Sequence, residues 1–194
     1  AHYCKHPMRE RLLDGRARAI AVQRDRRDVV VSGVQKDGLD PTPDRCREIT
    51  EGCLACFNGW PACESVRWWP YDRLARDTAG ATLEMADHLG VPCTPDEARA
   101  LAEEFAPDRQ RERIEAAISE GRMRPAVPGD ARCHAEGDLL HPNHLRDGRT
   151  GKWRELLPPE SLAVIEAIAC DWLAAHAYPL SHRRAERATG RPAA

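Results

Sequence analysis

No stretch of this sequence stays apolar for the roughly 20 residues that a helix needs to cross a bilayer. The chain also has nothing that resembles a signal peptide. Its formal net charge is only −2, whereas a general nucleic-acid binder carries a strong basic excess. These absences argue against a membrane or nucleic-acid partner, and they predict a cytoplasmic protein.

Cysteine is too sparse for a disulfide scaffold, and eight cysteines in 194 residues suit a reducing compartment instead. Four of them, Cys46, Cys53, Cys56 and Cys63, follow the spacing Cys-x6-Cys-x2-Cys-x6-Cys, so a four-thiolate zinc site is chemically open. A zinc ribbon uses two close Cys-x2-Cys pairs, however, and this segment has one. The alternative is that the four are small buried side chains on a helix from about Asp44 to Trp60.

The composition that is present describes one globular domain. Hydrophobic residues make up 42% of the sequence and charged residues 31%, and 194 residues are enough to enclose a core. We predict a single domain over residues 1–180 and a loose, Arg-rich tail over residues 181–194. The first thirty residues hold eight Lys and Arg against four Asp and Glu, so a basic excess lies there.

Two segments far apart in the chain have the features of an anion site. The first, Gln23 to Ser32, follows an apolar run from Ala17 to Val22 that is typical of a buried strand. Arg24 is therefore predicted at the end of a strand, which is the edge where ligands bind in open α/β sheets. The second, Leu145 to Trp153, places basic residues around two glycines, which let a backbone approach a phosphate closely.

At the first segment the chain resembles the sulfotransferases that use 3′-phosphoadenosine 5′-phosphosulfate (PAPS). In that family a strand ends in Arg-Asp/Asn-x-x-Asp-x-x-x-Ser, whose Arg and Ser hold the 3′-phosphate of the nucleotide. The matching residues here are Arg24 and Ser32, with the same spacing. The resemblance therefore implies that these two side chains bind the 3′-phosphate.

The second segment is similar to the family's Arg-Lys-Gly-x-x-Gly-Asp-Trp loop, which closes over the same phosphate. The stretch from Arg146 to Trp153 matches its Arg, both Gly and its Trp. Arg146 and Gly148 are thus implied as further 3′-phosphate contacts. Asp147 replaces the usual Lys and Lys152 replaces the usual acid, so the charges of the loop are rearranged.

Two further roles rest on the same resemblance. The segment from Val66 to Leu74 is similar to the family's strand ending in Arg-Tyr-Glu-Asp-Leu, which makes Tyr71 either an adenine contact or a core aromatic. His2 falls where the family has its general base, a task suited to a side chain with an unperturbed pKa of about 6.5. The family's Lys-Ser-Gly-Thr-Thr-like 5′-phosphosulfate loop has no counterpart. We therefore expect the C-terminal two thirds of a sulfotransferase.

The resemblance implies an α/β, P-loop-NTPase-like three-layer fold, with a parallel sheet flanked by helices and truncated at the N-terminus. It implies a transferase that moves the sulfuryl group of PAPS to a hydroxyl or amine on a small-molecule or glycan-like acceptor, with no metal required. An inactive nucleotide-binding remnant of that fold and, less favoured, a small zinc-binding module are the alternatives. A homodimer also stays open.

The rest of the chain is predicted to be chiefly helical. One helix is expected over Asp72 to Leu89, another after the capping box Thr94 to Glu97, and a third over Glu160 to His176 that packs against the sheet. Gly121 to Asn143 shows no periodicity and is expected to be a loop. In the family this region helps to cover the acceptor.

Overall fold

The computed structural model describes residues 6–125, 133–135 and 148–181. No helix in these ranges combines the length and the apolarity of a membrane span. The described part contains nine helices and four strands, in the order α1 (His6–Leu13), β1 (Ala19–Gln23), α2 (Arg26–Asp37), α3 (Pro43–Asn58), β2 (Val66–Pro70), α4 (Tyr71–Arg76), α5 (Thr78–Leu89), α6 (Pro95–Glu104), α7 (Pro107–Ser119), β3 (Met123–Pro125), β4 (Cys133–Ala135), α8 (Trp153–Leu156) and α9 (Pro159–Ala175).

The chain divides into two compact units. Unit 1 consists of Ala1–Val66 and Thr150–Ala194, and unit 2 consists of Arg67–Arg149. Unit 1 is therefore discontinuous in sequence, because unit 2 is inserted into it. The single domain expected over residues 1–180 stays a prediction.

Strands β1 and β2 are neighbours in a small parallel sheet. Ahead of β2, the carbonyl of Ser65 accepts a hydrogen bond from Ala19 N at 2.8 Å. Ala21 of β1 and Val66 of β2 are buried, as expected for apolar strand residues. The predicted strand before Arg24 is thus confirmed, as β1.

The core of unit 1 lies between helices. Helix α9 packs mainly against α3 and α2, and the rings of Phe57 and Trp172 meet edge to face at 5.6 Å between centroids. The predicted helices over these two stretches are confirmed. The expected packing of the last helix against the sheet is corrected to packing against helices, because Ile165 of α9 packs in one cluster with apolar side chains of α2 and α3. One core cluster consists of Val30, Val31, Cys46, Trp153, Leu157 and Ile165.

In unit 2 the single helix predicted from Asp72 to Leu89 is wrong in its middle. Asp77 leaves the helical conformation, with φ −142° and ψ 72°, and separates α4 from α5. Its carboxylate accepts a hydrogen bond from Gly80 N at 2.8 Å and so caps α5. Gly90 ends α5 with φ 70°, as predicted. The capping box of α6, between Thr94 and Glu97, is also confirmed.

The loop expected from Gly121 to Asn143 contains two short strands. Strand β3 pairs antiparallel with β4, with Arg124 opposite His134. Each strand has three residues, which is too short for the alternation that identifies a strand in a sequence. The rest of this stretch, and the expected tail after Ser181, lie outside the described residues.

Two glycines of unit 1 are expected to respond oppositely to the same substitution. Gly38 caps α2 with φ +65°, whereas Gly52 lies inside α3, and a Cβ at either would meet nothing within 4 Å. Gly38→Ala should lower the free energy of unfolding by about 1–2 kcal/mol, because this φ strains an L-residue. Gly52→Ala should raise it by about 0.5–1 kcal/mol, because alanine favours a helix. Urea unfolding of both variants checks this, and shifts of the same sign would contradict it.

Candidate functional site

The predicted phosphate-binding segment is the junction between β1 and α2. Arg24 and Asp25 form the connection. Asp25 is the N-cap of α2, and its carboxylate accepts a hydrogen bond from Arg27 N at 3.0 Å. Arg24 therefore follows the carboxyl end of β1 and precedes the start of α2, where the helix dipole adds partial positive charge.

Ser32 lies on α2 itself. Its side chain is exposed, whereas Arg24 is half-buried. Both residues thus belong to one continuous strand-to-helix segment. Such an arrangement suits an anion, because a helix N-terminus and a guanidinium each attract negative charge. Their contact with a nucleotide stays a prediction.

Arg27 is a structural cation within this segment. Its guanidinium donates to both carboxylate oxygens of Asp25, at 2.9 and 2.7 Å, and to Oε1 of Glu166 at 2.6 Å. It also donates to the Pro179 carbonyl at 3.0 Å and lies 3.9 Å from the centre of the Trp153 ring. With 1% of its surface exposed, Arg27 is engaged by the protein on every side.

The two carboxylates more than offset the effect of burial on this arginine. Burial lowers the pKa of Arg27, but the hydrogen bonds and charges of Asp25 and Glu166 hold the pKa above its usual value. Glu166 is in turn satisfied by Ser181, whose N and Oγ donate at 2.9 and 2.8 Å. The end of the described chain is thereby attached to the predicted phosphate segment.

Arg26 has different surroundings from its neighbour. Its guanidinium carbon lies 3.9 Å from the centre of the Trp172 ring and 5.1 Å from that of Phe57. Burial lowers the pKa of Arg26. The three arginines of this charged run therefore have different surroundings: Arg24 lies at the end of a strand, Arg26 packs on aromatic rings and Arg27 forms ion pairs. No pattern in the sequence indicates these differences.

Asp28 joins the two predicted phosphate segments. Its Oδ2 accepts a hydrogen bond from Gly151 N at 2.6 Å, and its Oδ1 accepts one from Trp153 N at 3.3 Å. The carboxylate is buried, with 2% exposure, and Trp153 packs in the core with 4% exposure. Gly151 makes the turn with φ +79°. Sequence reasoning missed this role, although Asp28 is the second acid of the Arg-Asp-x-x-Asp pattern.

In unit 2 the structure brings together two of the predicted site residues. The Tyr71 hydroxyl donates a hydrogen bond to the Gly148 carbonyl at 3.2 Å. Gly148 has φ +66°, and a Cβ on it would lie 3.1 Å from that hydroxyl oxygen. Both residues are half-buried. The backbone conformation thus favours glycine at this position, and any larger residue would also have to displace the tyrosine hydroxyl slightly.

Two predicted site residues, His2 and Arg146, lie outside the described residues. Their roles as general base and phosphate contact stay predictions. Lys152 is described, and its Nζ donates to Gln35 Oε1 at 3.4 Å. The basic residue that replaces the family's acid therefore contacts α2.

The four cysteines of the Cys-x6-Cys-x2-Cys-x6-Cys pattern do not form a metal-binding cluster. Within the described ranges, no group of three or more His, Cys, Asp and Glu side chains could hold a metal ion. Cys46 and Cys56 are buried on α3, and burial raises the pKa of the Cys46 and Cys53 thiols. Cys63 lies beyond the helix, with its Sγ 3.6 Å from the Leu12 carbonyl. These environments favour the interpretation of the cysteines as packing residues.

No protein-family model matches the chain, and no curated protein matches it. Solved structures do. The mouse sulfotransferase SULT7A1 complexed with PAP matches with a TM-score of 0.60 and 13% identity, over 89% of this chain and 64% of that one. Retinol dehydratase matches with a TM-score of 0.50 and 20% identity, over 84% of this chain and 49% of that one, both with androsterone and inactive cofactor PAP and with retinol and PAP.

The chain thus spans from about half to somewhat under two thirds of the length of these structures, at 49% and 64%. At such low identities the likeness concerns the backbone and not the individual side chains. It agrees with the small parallel sheet and the surrounding helices. The α/β class predicted from the sequence is confirmed, and the chain has the fold of the sulfotransferases.

Proposed function

We propose that the chain belongs to a sulfotransferase and binds the adenine and 3′-phosphate part of PAPS. The observation that carries the proposal is the pair of hydrogen bonds from Gly151 and Trp153 to Asp28, which join residues 123 and 125 positions apart. Two segments that separately resemble 3′-phosphate elements are held together in the folded chain. If either segment resembled a phosphate-binding element only by chance, there would be no reason for the two segments to be hydrogen-bonded to each other.

The chemistry of the described residues fits the nucleotide. Arg24 follows a strand and precedes a helix N-terminus, which is a favourable place for a phosphate. Gly148 and Gly151 both have positive φ, at 66° and 79°, and such turns present backbone N–H groups to anions. The solved structures with the same fold are complexes with PAP.

In the proposed reaction each residue has one task. Arg24, Ser32, Arg146 and Gly148 hold the 3′-phosphate, and Tyr71 contacts the adenine. His2 accepts the proton of the acceptor hydroxyl or amine while that group attacks sulfur. The bond from sulfur to the phosphate oxygen breaks as the new bond forms, and the bisphosphate leaves. Positioning and charge supply the rate enhancement, and no metal is required.

The acceptor belongs to the same proposal. Of the neighbours, one retinol dehydratase structure holds androsterone and another holds retinol. We propose a hydroxyl-bearing or amine-bearing small molecule or glycan-like compound for this chain. The cytoplasmic location and a homodimer stay predictions.

Arg24→Ala tests the phosphate assignment. A hydrogen bond to a charged group contributes about 1.5–3 kcal/mol, so the dissociation constant for adenosine 3′,5′-bisphosphate should rise about 10- to 100-fold. Isothermal titration calorimetry measures it. The matched control is Arg47→Ala, an exposed arginine on α3, which should leave the affinity unchanged.

The outcomes of this test separate the candidate functions. An unchanged affinity in Arg24→Ala, with the thermal unfolding of the variant intact, contradicts the phosphate assignment. Wild-type binding of the bisphosphate without sulfuryl transfer from PAPS to any hydroxyl acceptor corresponds to the inactive remnant. Binding that survives Arg24→Ala but is lost in Arg47→Ala would place the nucleotide elsewhere in unit 1.

A further inference from the structure

We propose that the Tyr71 hydroxyl positions the peptide group between Gly148 and Arg149, in the predicted 3′-phosphate segment, so that the tyrosine ring and the tyrosine hydroxyl perform separate tasks. This inference rests on the proposed function and deepens it. The ring would contact the adenine, and the hydroxyl would orient the peptide group that follows Gly148. Tyr71 would then couple recognition of the base to recognition of the 3′-phosphate.

The position of the tyrosine is fixed by its place in the chain. Tyr71 is the first residue of α4, and Pro70 ends β2 immediately before it. Pro70 has φ −63° and ψ 128°, and the pyrrolidine ring holds that φ. The backbone therefore passes from strand to helix at one defined point. The Cα of Tyr71 is held by both elements, and its hydroxyl is a defined donor to the backbone at Gly148.

The hydroxyl contacts the backbone of the predicted phosphate segment at Gly148, its first described residue. Tyr71 Oη donates to Gly148 O at 3.2 Å. Because a trans peptide is planar, the N–H of Arg149 is directed opposite to that carbonyl. Holding the carbonyl therefore fixes the orientation of the whole peptide group between Gly148 and Arg149, in the segment whose N–H groups are proposed to face the phosphate.

The close fit at Gly148 makes this contact sensitive to the hydroxyl. A Cβ on Gly148 would come within 3.1 Å of Tyr71 Oη, so the hydroxyl approaches the backbone itself. A preset peptide group lowers the ordering cost that a flexible glycine loop meets when it binds a ligand. Loss of the hydroxyl should restore that cost for the 3′-phosphate only. The adenine contact, which uses the ring, should survive.

Tyr71→Phe separates the two tasks, because it keeps the ring and removes the hydroxyl. The probes are adenosine 3′,5′-bisphosphate and adenosine 5′-monophosphate, which differ in the 3′-phosphate alone. We expect the dissociation constant of the bisphosphate to rise about 3- to 10-fold, the effect of one lost hydrogen bond, and that of the monophosphate to change by less than about twofold. The preference for the 3′-phosphate should fall accordingly.

Tyr178→Phe is the matched control, because Tyr178 stacks on Trp172 in unit 1 and has no proposed contact with the nucleotide. It should keep both affinities. Equal weakening of both nucleotides by Tyr71→Phe would show that the hydroxyl contacts the base, and unchanged affinities would show that it orients nothing; either result overturns the inference. A wild-type chain without preference for the bisphosphate overturns the proposed function itself, and this inference with it.

Discussion

Replacing Arg27 by methionine is expected to lower the free energy of unfolding by about 3–5 kcal/mol, because removing one partner of a buried ion pair leaves the other charge uncompensated. Methionine keeps the length and most of the volume of the side chain. Two buried carboxylates, on Asp25 and Glu166, would lose the guanidinium with which both form ion pairs. The stacking of the guanidinium on Trp153, at 3.9 Å, would also be lost.

Denaturant unfolding measures this loss, with Arg45→Met as the matched control. The Arg45–Glu48 pair is also short, at 2.6 Å, but its side chains are 41% and 71% exposed. Exposed pairs contribute about 0–1 kcal/mol, so Arg45→Met should change little. Arg27→Met combined with Glu166→Gln should cost less than the sum of the single variants, because the second change removes a stranded charge. Additive losses would contradict the ion-pair explanation.

Replacing Asp28 by alanine is expected to produce the second large effect. The backbone N–H groups of Gly151 and Trp153 would both lose their acceptor. A hydrogen bond to a charged group contributes about 1.5–3 kcal/mol, so the free energy of unfolding should fall by about 3 kcal/mol or more. The loop before α8 would then keep only the weaker contact from Lys152 to Gln35 as a described hydrogen bond to α2. Affinity for adenosine 3′,5′-bisphosphate should fall as well, although Asp28 is not proposed to touch the nucleotide.

Amide hydrogen exchange gives the local readout for this variant. Gly151 and Trp153 should be protected in the wild-type chain and exchange much faster in Asp28→Ala. Asp44→Ala is the control, since Asp44 also lies in the first turn of a long helix but is exposed. It should lose only the small dipole contribution, about 0.3–1 kcal/mol. Protection of both amides that persists without Asp28 would contradict the proposed anchor.

The parts of the fold with local signals could be predicted from the sequence. Helix α6 begins with a capping box, and α3 and α9 have apolar residues at helical spacing, so all three could be located in the sequence. The structure confirms the three helices. The helix break at Asp77 could not be predicted, because the segments on both sides of it have helical sequences. The structure shows the break through the hydrogen bond that the Asp77 carboxylate accepts from Gly80 N. Strands β3 and β4 have three residues each, which is too few to show an alternation of apolar and polar side chains.

The candidate site was predictable only to the extent that its motifs are local. Arg24 follows its strand as expected, and the contact between Tyr71 and Gly148 joins two residues predicted for one nucleotide. The supporting groups were not predicted, because their partners are remote: Glu166 reaches Arg27 across 139 positions. Asp28 is an intermediate case, since its place in the phosphate pattern was visible but its acceptance of two loop amides was not.

The discontinuity of unit 1 has a consequence for biosynthesis. A ribosome adds about 5–20 residues per second, so a separation of 139 positions corresponds to a delay on the order of ten seconds between Arg27 and Glu166. During that time Arg27 has Asp25 as an ion-pair partner, but its second partner, Glu166, has not yet been made. The junction after β1, although translated early, therefore reaches its final form only when the segment that ends at Ser181 has emerged.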